Sequence, residues 1–572
     1  MALAPYFDKA ALAAATVLKG FDRDAFASTL EQHVVGLAFD DTAADSVEAR
    51  HTISLCVSLT ARLYPTIAVM PIGERAAAVA ACLGDDAKLV NPLIELASSE
   101  HVTVCIAVGR TPAADAGIAA ATPTFYLGSS GWDALFSQRR PVGSGGTGLP
   151  FGAGAAACIG LANVFRQIFA MQLPSSGPDT EFALSTDTLR ITRDLVNDGD
   201  TEPSPPTPST WDPLGVDVGE VCLVGAGAVG EGSLWALART LGVSGTIRVI
   251  DDQAIDAMNP QRYILTRASD VGEAKVAVAV RGFVGNPNLI AVPHQVRWGQ
   301  FLAVRPQPWR LHRVLVALDS ARDRIAVQAA LPAWVANAWT QPGDLGLSTH
   351  RGLGLSTSGG ARSACLACQY LPTGVVKNED QMIGEALGLV GQEMLIRQLL
   401  MSGAPVGVAL LEQIGVALGL TPDAILSLTA YADRPLRALY SEAVCGGVVL
   451  RLQASSARVP SPPSPGPQVA TPVPVTGLPS DRGAAVPMAF QSAMAGILLG
   501  AALVAEVVGR AVPDGRKVVI DLLRPIGDHL TVPIAQHPSG RCLCQDPDYR
   551  LAYARVWDIE SVKPPNEAQL ST

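Results

Sequence analysis

Two hydrophobic periods alternate along this chain. Short continuous apolar runs, Val102-Thr-Val-Cys-Ile-Ala-Val108, Val221-Cys-Leu-Val224, Thr246-Ile-Arg-Val-Ile250 and Val314-Leu-Val-Ala-Leu318, predict buried strands of a parallel sheet. Helical spacing appears in Ser233-Leu-Trp-Ala-Leu-Ala-Arg239, Glu393-Met-Leu-Ile-Arg-Gln-Leu-Leu400 and Val406 to Leu418. Strand, tight turn and helix in this order predict an α/β, Rossmann-like fold.

A longer apolar pattern changes the scale of the picture. No charged residue occurs from Ala484 to Ala505, a length that would cross a membrane. Pro487, Gln491 and Ser492 interrupt the run and small residues dominate it, so a buried core helix is expected and no membrane contact. The stretch Pro487 to Val508 also echoes Pro150 to Phe165: both begin at proline and both are rich in Ala and Gly. The echo predicts that residues 1–195 repeat the fold of the second half in degenerate form. Between the halves, residues 196–212 are rich in Pro, Ser, Thr and acids and read as a linker. A second proline-rich stretch, within 456–483, reads as a long loop inside the second half.

Composition narrows the classes. At 572 residues the chain is too long for one core, and a net charge of −10 with 16% charged residues argues against a nucleic-acid groove. The start, Met1-Ala-Leu-Ala-Pro-Tyr-Phe-Asp8, has no basic stretch before an apolar one, so no secretory signal is expected and a cytoplasmic location is. The ten cysteines are then read as thiols or metal ligands rather than disulfides.

The chemistry concentrates between Val221 and Asp319. Gly225-Ala-Gly227-Ala-Val-Gly230 directly follows the strand Val221–Val224 and precedes a helix, where glycine lets a phosphate approach the backbone N–H groups. Asp251 ends the next strand and can accept ribose hydroxyls. Up to this point a dinucleotide-binding dehydrogenase fits equally well. Asn259, Arg262 and Lys275 then supply polar and cationic groups that three phosphates need, and Asp319, at the carboxyl end of Val314–Leu318, stands where an acid would hold magnesium. Together they favour ATP.

These residues resemble the ThiF family of adenylyltransferases, which includes the ubiquitin-activating enzymes and the activators of bacterial sulfur-carrier proteins. The resemblance implies that Gly225, Gly227 and Gly230 shape the nucleotide loop, Asp251 binds ribose, Asn259, Arg262 and Lys275 contact phosphates, and Asp319 ligates Mg2+, with Arg262, Lys275 and Asp319 acting in catalysis. One departure stands out: the family often follows the arginine with glutamine, and Tyr263 is here. The family's late helix matches the Pro487 pattern, so residues 1–195 are expected to be an inactive adenylation-like domain and 213–572 the active one. In family dimers the partner fold lends an arginine to the ATP site. Arg23, in Gly20-Phe-Asp-Arg23-Asp, is the candidate for that role; a solvated helix-terminal charge is the other reading. Residues 456–483 take the place of the family's mobile crossover loop, beneath which the substrate tail passes.

Cys365-Leu-Ala-Cys368 and Cys542-Leu-Cys544 pair two thiols each, and four thiolates make a closed zinc shell. The family frequently carries two CxxC pairs at these points, the second shortened here. Cys445 differs from the rest, since it is followed by Gly446-Gly447, which leave room for an incoming peptide tail. It closes a helical insertion, residues 377–455, and in ubiquitin-activating enzymes such a subdomain carries the cysteine that takes the activated protein as a thioester. A buried cysteine opening the strand Val448–Leu452 is the alternative.

The expected function is therefore adenylation of the C-terminal carboxylate of a ubiquitin-like protein by ATP, a thioester on Cys445, and transfer to a separate conjugating enzyme. The layout resembles the activating enzymes of bacterial ubiquitin-like conjugation operons, anti-phage systems among them. It leaves a homodimer open as the assembly. A sulfur-carrier adenylyltransferase and a non-catalytic scaffold binding nucleotide or a ubiquitin-like tail are the rival readings.

Overall fold

A computed structural model describes residues 3–174, 177–193, 215–354, 363–372, 379–440, 486–510, 514–527 and 530–559. Cys445, the linker 196–212 and the loop 456–483 lie outside the described residues.

Two eight-stranded sheets form the frame. The first uses β1 (Val35–Asp40), β2 (Thr66–Ile72), β3 (Glu95–Leu96), β4 (Val104–Val108), β5 (Thr124–Ser130), β6 (Asp133–Ser137), β7 (Glu181–Ser185) and β8 (Ile191–Thr192). The second uses β9 (Val216–Val224), β10 (Val243–Ile250), β11 (Leu289–His294), β12 (Arg313–Val316), β13 (Trp334–Thr340), β14 (Leu345–Arg351), β15 (Arg516–Ile520) and β16 (Thr531–Pro533). Their orders are β3-β2-β1-β4-β5-β6-β7-β8 and β11-β10-β9-β12-β13-β14-β15-β16. Position for position these are one topology.

The strand directions repeat as well. In each sheet the first five strands in that order pair in parallel and the rest antiparallel, so a β-hairpin, β5-β6 or β13-β14, closes the parallel part. The two Ala/Gly-rich segments occupy matching places after that hairpin, as helices Phe151–Ile168 and Ala489–Val507. Small residues are needed there because backbones nearly touch. A Cβ at Gly496 would stand 2.3 Å from the Val229 carbonyl oxygen, and one at Gly152 would stand 2.4 Å from that of Asp133.

The helix Ala489–Val507 is long and apolar enough to cross a membrane, yet 89% of its apolar window is buried inside the protein. It packs on the helix Ala228–Arg239 and, across the seam between halves, on Phe151–Ile168. One apolar cluster runs from Phe7 to Leu530 through both sheets, so the halves share a core. The seam also carries polar ties: Asp179 pairs with Arg166 at 2.7 Å with both side chains buried, and accepts from the Ile526 N–H at 2.8 Å. Arg510 meets Asp187 at 2.5 Å.

The insertion is helical, with Glu379–Ala386, Glu393–Ser402, Val408–Ala417, Pro422–Leu428 and Leu436–Leu439. Its apolar faces bury Ile383, Leu387, Ile396, Leu411, Ile414 and Leu436 in a small core of their own.

Candidate nucleotide site and cysteine cluster

The sequence places glycine where β9 must turn sharply into the next helix. Gly225 has φ +101°, a left-handed value that an L side chain strains to adopt, and a Cβ there would lie 2.4 Å from the Ala317 carbonyl oxygen. A Cβ on Gly230 would strike the Gly225 carbonyl at 2.1 Å. Gly227 begins the helix Ala228–Arg239, whose end has no side-chain cap. Its leading N–H groups remain available to an anion.

Asp251 stands at the end of β10 beside this turn. Its Oδ2 accepts from the Ala226 N–H at 2.9 Å and its Oδ1 from the Gln253 N–H at 2.9 Å. The carboxylate is thus fixed against the glycine turn, at the edge where a ribose would lie. Asn259 opens a single 3-10 turn, Asn259–Gln261, and its side-chain oxygen accepts from the Asp256 N–H at 2.9 Å. That turn presents Arg262, whose Nη1 is buried without a protein hydrogen-bond partner. Burial pulls the Arg262 pKa down, while the charges of Asp319 and Asp256 act to hold it up. An orphaned guanidinium nitrogen in a pocket calls for an anion.

Lys275 starts the helix Lys275–Arg281 and is 7% exposed, with Nζ donating to Gln253 Oε1 at 2.6 Å. Tyr263, the departure from the family pattern, is buried next to both cations: the Arg262 guanidinium lies 5.7 Å and Lys275 Nζ 5.4 Å from its ring centroid. Its ring offers each a cation–π contact. Asp319 follows β12 and is exposed at the same sheet edge. Arg324, buried at 5%, donates to the Leu318 carbonyl and the Tyr370 hydroxyl, and its Nη1 donates to Asn337 Oδ1 at 3.1 Å, which fixes the backbone just before Asp319. The glycine turn, Asp251, Asn259, Arg262, Lys275 and Asp319 therefore gather at the carboxyl edge of one sheet.

Arg23 does not join them. It donates to Asp8 Oδ1 at 2.7 Å and lies over the Phe7 ring, inside its own half. An arginine that does cross to this segment is Arg62, at the end of the helix Val47–Ala61, which donates to the carbonyls of Pro260 and Thr266. Local sequence patterns gave no signal for it, since its partners lie 198 and 204 residues away. Glu231, next to Gly230, is fully buried and was equally silent.

The cysteine pairs meet. Sγ atoms of Cys365, Cys368, Cys542 and Cys544 all lie within 4.8 Å of one another, with Cys368 3.3 Å from Cys542 and 3.4 Å from Cys544. A zinc–thiolate bond of about 2.3 Å implies sulfur–sulfur edges near 4 Å in a tetrahedron. The cluster is close to that size, and four crowded, buried thiols are better held as thiolates around a cation than as neighbouring acids. Cys56, Cys105, Cys158 and Cys222 are buried in the core, and Cys82 is exposed.

This arrangement defines a nucleotide-binding α/β domain with the groups of an adenylating enzyme. Residues 217–327 match the model of the ThiF family, and residues 38–170 match one described as Prokaryotic E2 family C. The chain belongs to the ThiF family and is E1-like. It is 39% identical over 565 residues to "Uncharacterized protein y4jF" of Sinorhizobium fredii (strain NBRC 101917 / NGR234), covering 99% of each. Among solved structures it is similar to PaaA (13% identity, 55% of this chain and 64% of that one, TM-score 0.28). It is also similar to Escherichia coli MccB with AMPCPP and MccA (13% identity, 56% and 65%, TM-score 0.30). The chain thus spans less than two thirds of either solved chain. Within the family the fold is that of ATP-dependent adenylation.

Proposed function

We propose that this chain activates the C-terminal carboxylate of a ubiquitin-like protein. The observation that carries the reading is the uncapped helix end behind Gly225–Gly227 at the same sheet edge as Arg262 with its unpartnered Nη1, Lys275 and the exposed Asp319. A carboxylate oxygen attacks the α-phosphorus of ATP, the bond from that phosphorus to the bridging oxygen breaks, and pyrophosphate leaves with the electron pair. Arg262 and Lys275 offset the negative charge that grows on the phosphates, and the helix end holds one of them. Asp319 would hold Mg2+, which supplies further charge neutralisation when bound.

The second step is the attack of the Cys445 thiolate on the acyl carbon, with AMP as leaving group, followed by transfer to the cysteine of a separate conjugating enzyme. Its support is the sequence around Cys445 and the helical insertion that precedes it. Zinc held by the four cysteines is structural in this reading.

Incubation with Mg·ATP and a candidate modifier, followed by denaturing electrophoresis, tests the proposal. A thiol-sensitive adduct lost in Cys445→Ala supports it, and an adduct retained by that variant removes Cys445 from the role. The match of residues 38–170 to the Prokaryotic E2 family C model favours a second reading, in which the N-terminal half itself receives the modifier. Mapping the adduct to Cys82, the exposed thiol of that stretch among the described residues, would select it. Pyrophosphate exchange without any adduct would instead select a sulfur-carrier type of activation.

A further inference from the structure

We infer that Arg62 of the N-terminal half is a positioning residue for the nucleotide site: with Glu231 it holds the segment that presents Asn259 and Arg262. The inference rests on the adenylation reading of that site. Arg62 is 2% exposed, and its guanidinium donates through Nη1 to the Pro260 carbonyl and through Nη2 to the Thr266 carbonyl at 3.2 Å. From the other side Glu231, wholly buried, accepts from the Leu265 N–H at 2.7 Å through Oε2 and from the Thr266 hydroxyl at 2.5 Å through Oε1. One turn of chain, residues 260–266, is thus held by a guanidinium on its carbonyls and a carboxyl group on its donors. When Glu231 is ionised, its charge also attracts that of Arg62.

The placement matters because of what this segment carries. Asn259 immediately precedes it, and Arg262 and Tyr263 lie within it, the Tyr263 ring in reach of both Arg262 and Lys275. Three cationic or polar groups therefore take their positions from a backbone whose two anchors are Arg62 and Glu231. Arg62, Tyr64 and Gln261 line one small cavity with Leu59, Met488 and Phe490, so the seam between the halves closes directly beneath the Asn259–Gln261 turn. A surface ion pair could not do this, since water would compete for both carbonyls. The N-terminal half serves the site without entering it.

Removing Arg62 alone strands Glu231 in the core, so the test uses a matched pair, Arg62→Met with Glu231→Gln, alongside Arg62→Lys. Calorimetric titration with Mg·ATP is expected to show at least a tenfold weaker Kd for the double variant and a smaller loss for Arg62→Lys. Amide exchange should quicken within residues 259–266 before it quickens elsewhere. Asp187→Asn, which loosens the distant Arg510 contact across the same seam, is the control for general loosening and should leave the Kd within about twofold. If the double variant binds Mg·ATP like the wild type, or if Asp187→Asn weakens binding as much, the inference is overturned while the adenylation reading stands. A wild-type chain that binds no Mg·ATP overturns both.

Discussion

The two halves share a topology and differ in what fills the end of their first strand. In the C-terminal half β9 runs into Gly225-Ala-Gly227 and leaves the next helix uncapped. In the N-terminal half β1 runs into Asp40-Asp41. Asp40 Oδ1 accepts from the Ala43 N–H at 2.8 Å, and Asp41 Oδ1 accepts from the Ala76 N–H at 2.9 Å at the start of the helix Glu74–Val90. Ser46 caps the helix Val47–Ala61. A Cβ at Gly73, φ +105°, would lie 2.4 Å from the Asp41 carboxyl. Helix ends that could take phosphate are thus satisfied by the chain's own side chains. The two halves thus differ at one strand end in whether glycine or aspartate stands there.

The sharpest way to break this comparison is to exchange charges at the two sheet edges. Asp319→Ala is expected to lower modifier-dependent pyrophosphate exchange by about a hundredfold or more, as loss of several kcal/mol of metal-assisted stabilisation requires. Asp40→Asn should leave it within about twofold. Equal losses would mean that the first half is a working site after all.

Glu231 offers the next test. Burial lifts its carboxyl from 4.5 to about 7, offset by hydrogen bonds from Thr266 and Leu265 and by the charge of Arg62. A carboxyl raised on folding binds its proton more tightly in the native state, so its contribution is fully present below pH 4.5 and is lost as pH rises through about 7. The loss is about 3 kcal/mol. Urea unfolding of wild type and Glu231→Gln across this range should show a fall in the former that the latter lacks, and parallel curves would refute it.

The smallest effect compares the two Ala/Gly-rich helices. Gly496→Ala places a Cβ 2.3 Å from a backbone carbonyl, whereas Gly160→Ala meets the tip of Leu127 at 2.4 Å. A leucine can turn aside and a carbonyl cannot. Gly496→Ala should therefore cost about 1–3 kcal/mol by thermal unfolding and Gly160→Ala distinctly less.

Much of the site is legible in the sequence. Local chemistry was legible because its spacing is local: the glycine turn, Asp251 at a strand end, and Cys365/Cys368 with Cys542/Cys544 as two short pairs. The run Val314–Leu318 foretold β12, although the strand itself ends at Val316 and lets Asp319 swing to the edge. The repeat showed through one pair of helices, where close backbone packing constrains composition. Arg62 could not be read, since nothing near position 62 records what lies at position 260; Arg23 was a candidate on a local motif only, beside its reading as a solvated helix-terminal charge. Tyr263 stands out in sequence only as a departure from the family pattern; in the structure its ring lies within reach of both Arg262 and Lys275.

Asp40 and Asp41 have one more consequence. A ligand tethered by its own backbone has a very high effective concentration and never diffuses away, so no physiological nucleotide level competes with it. In the first half these helix ends stay satisfied by the chain's own carboxylates whatever the nucleotide supply. The second half gains stability as nucleotide binds. One molecule therefore holds both cases: helix ends met by tethered carboxylates in one half, and a helix end left open to a diffusing anion in the other.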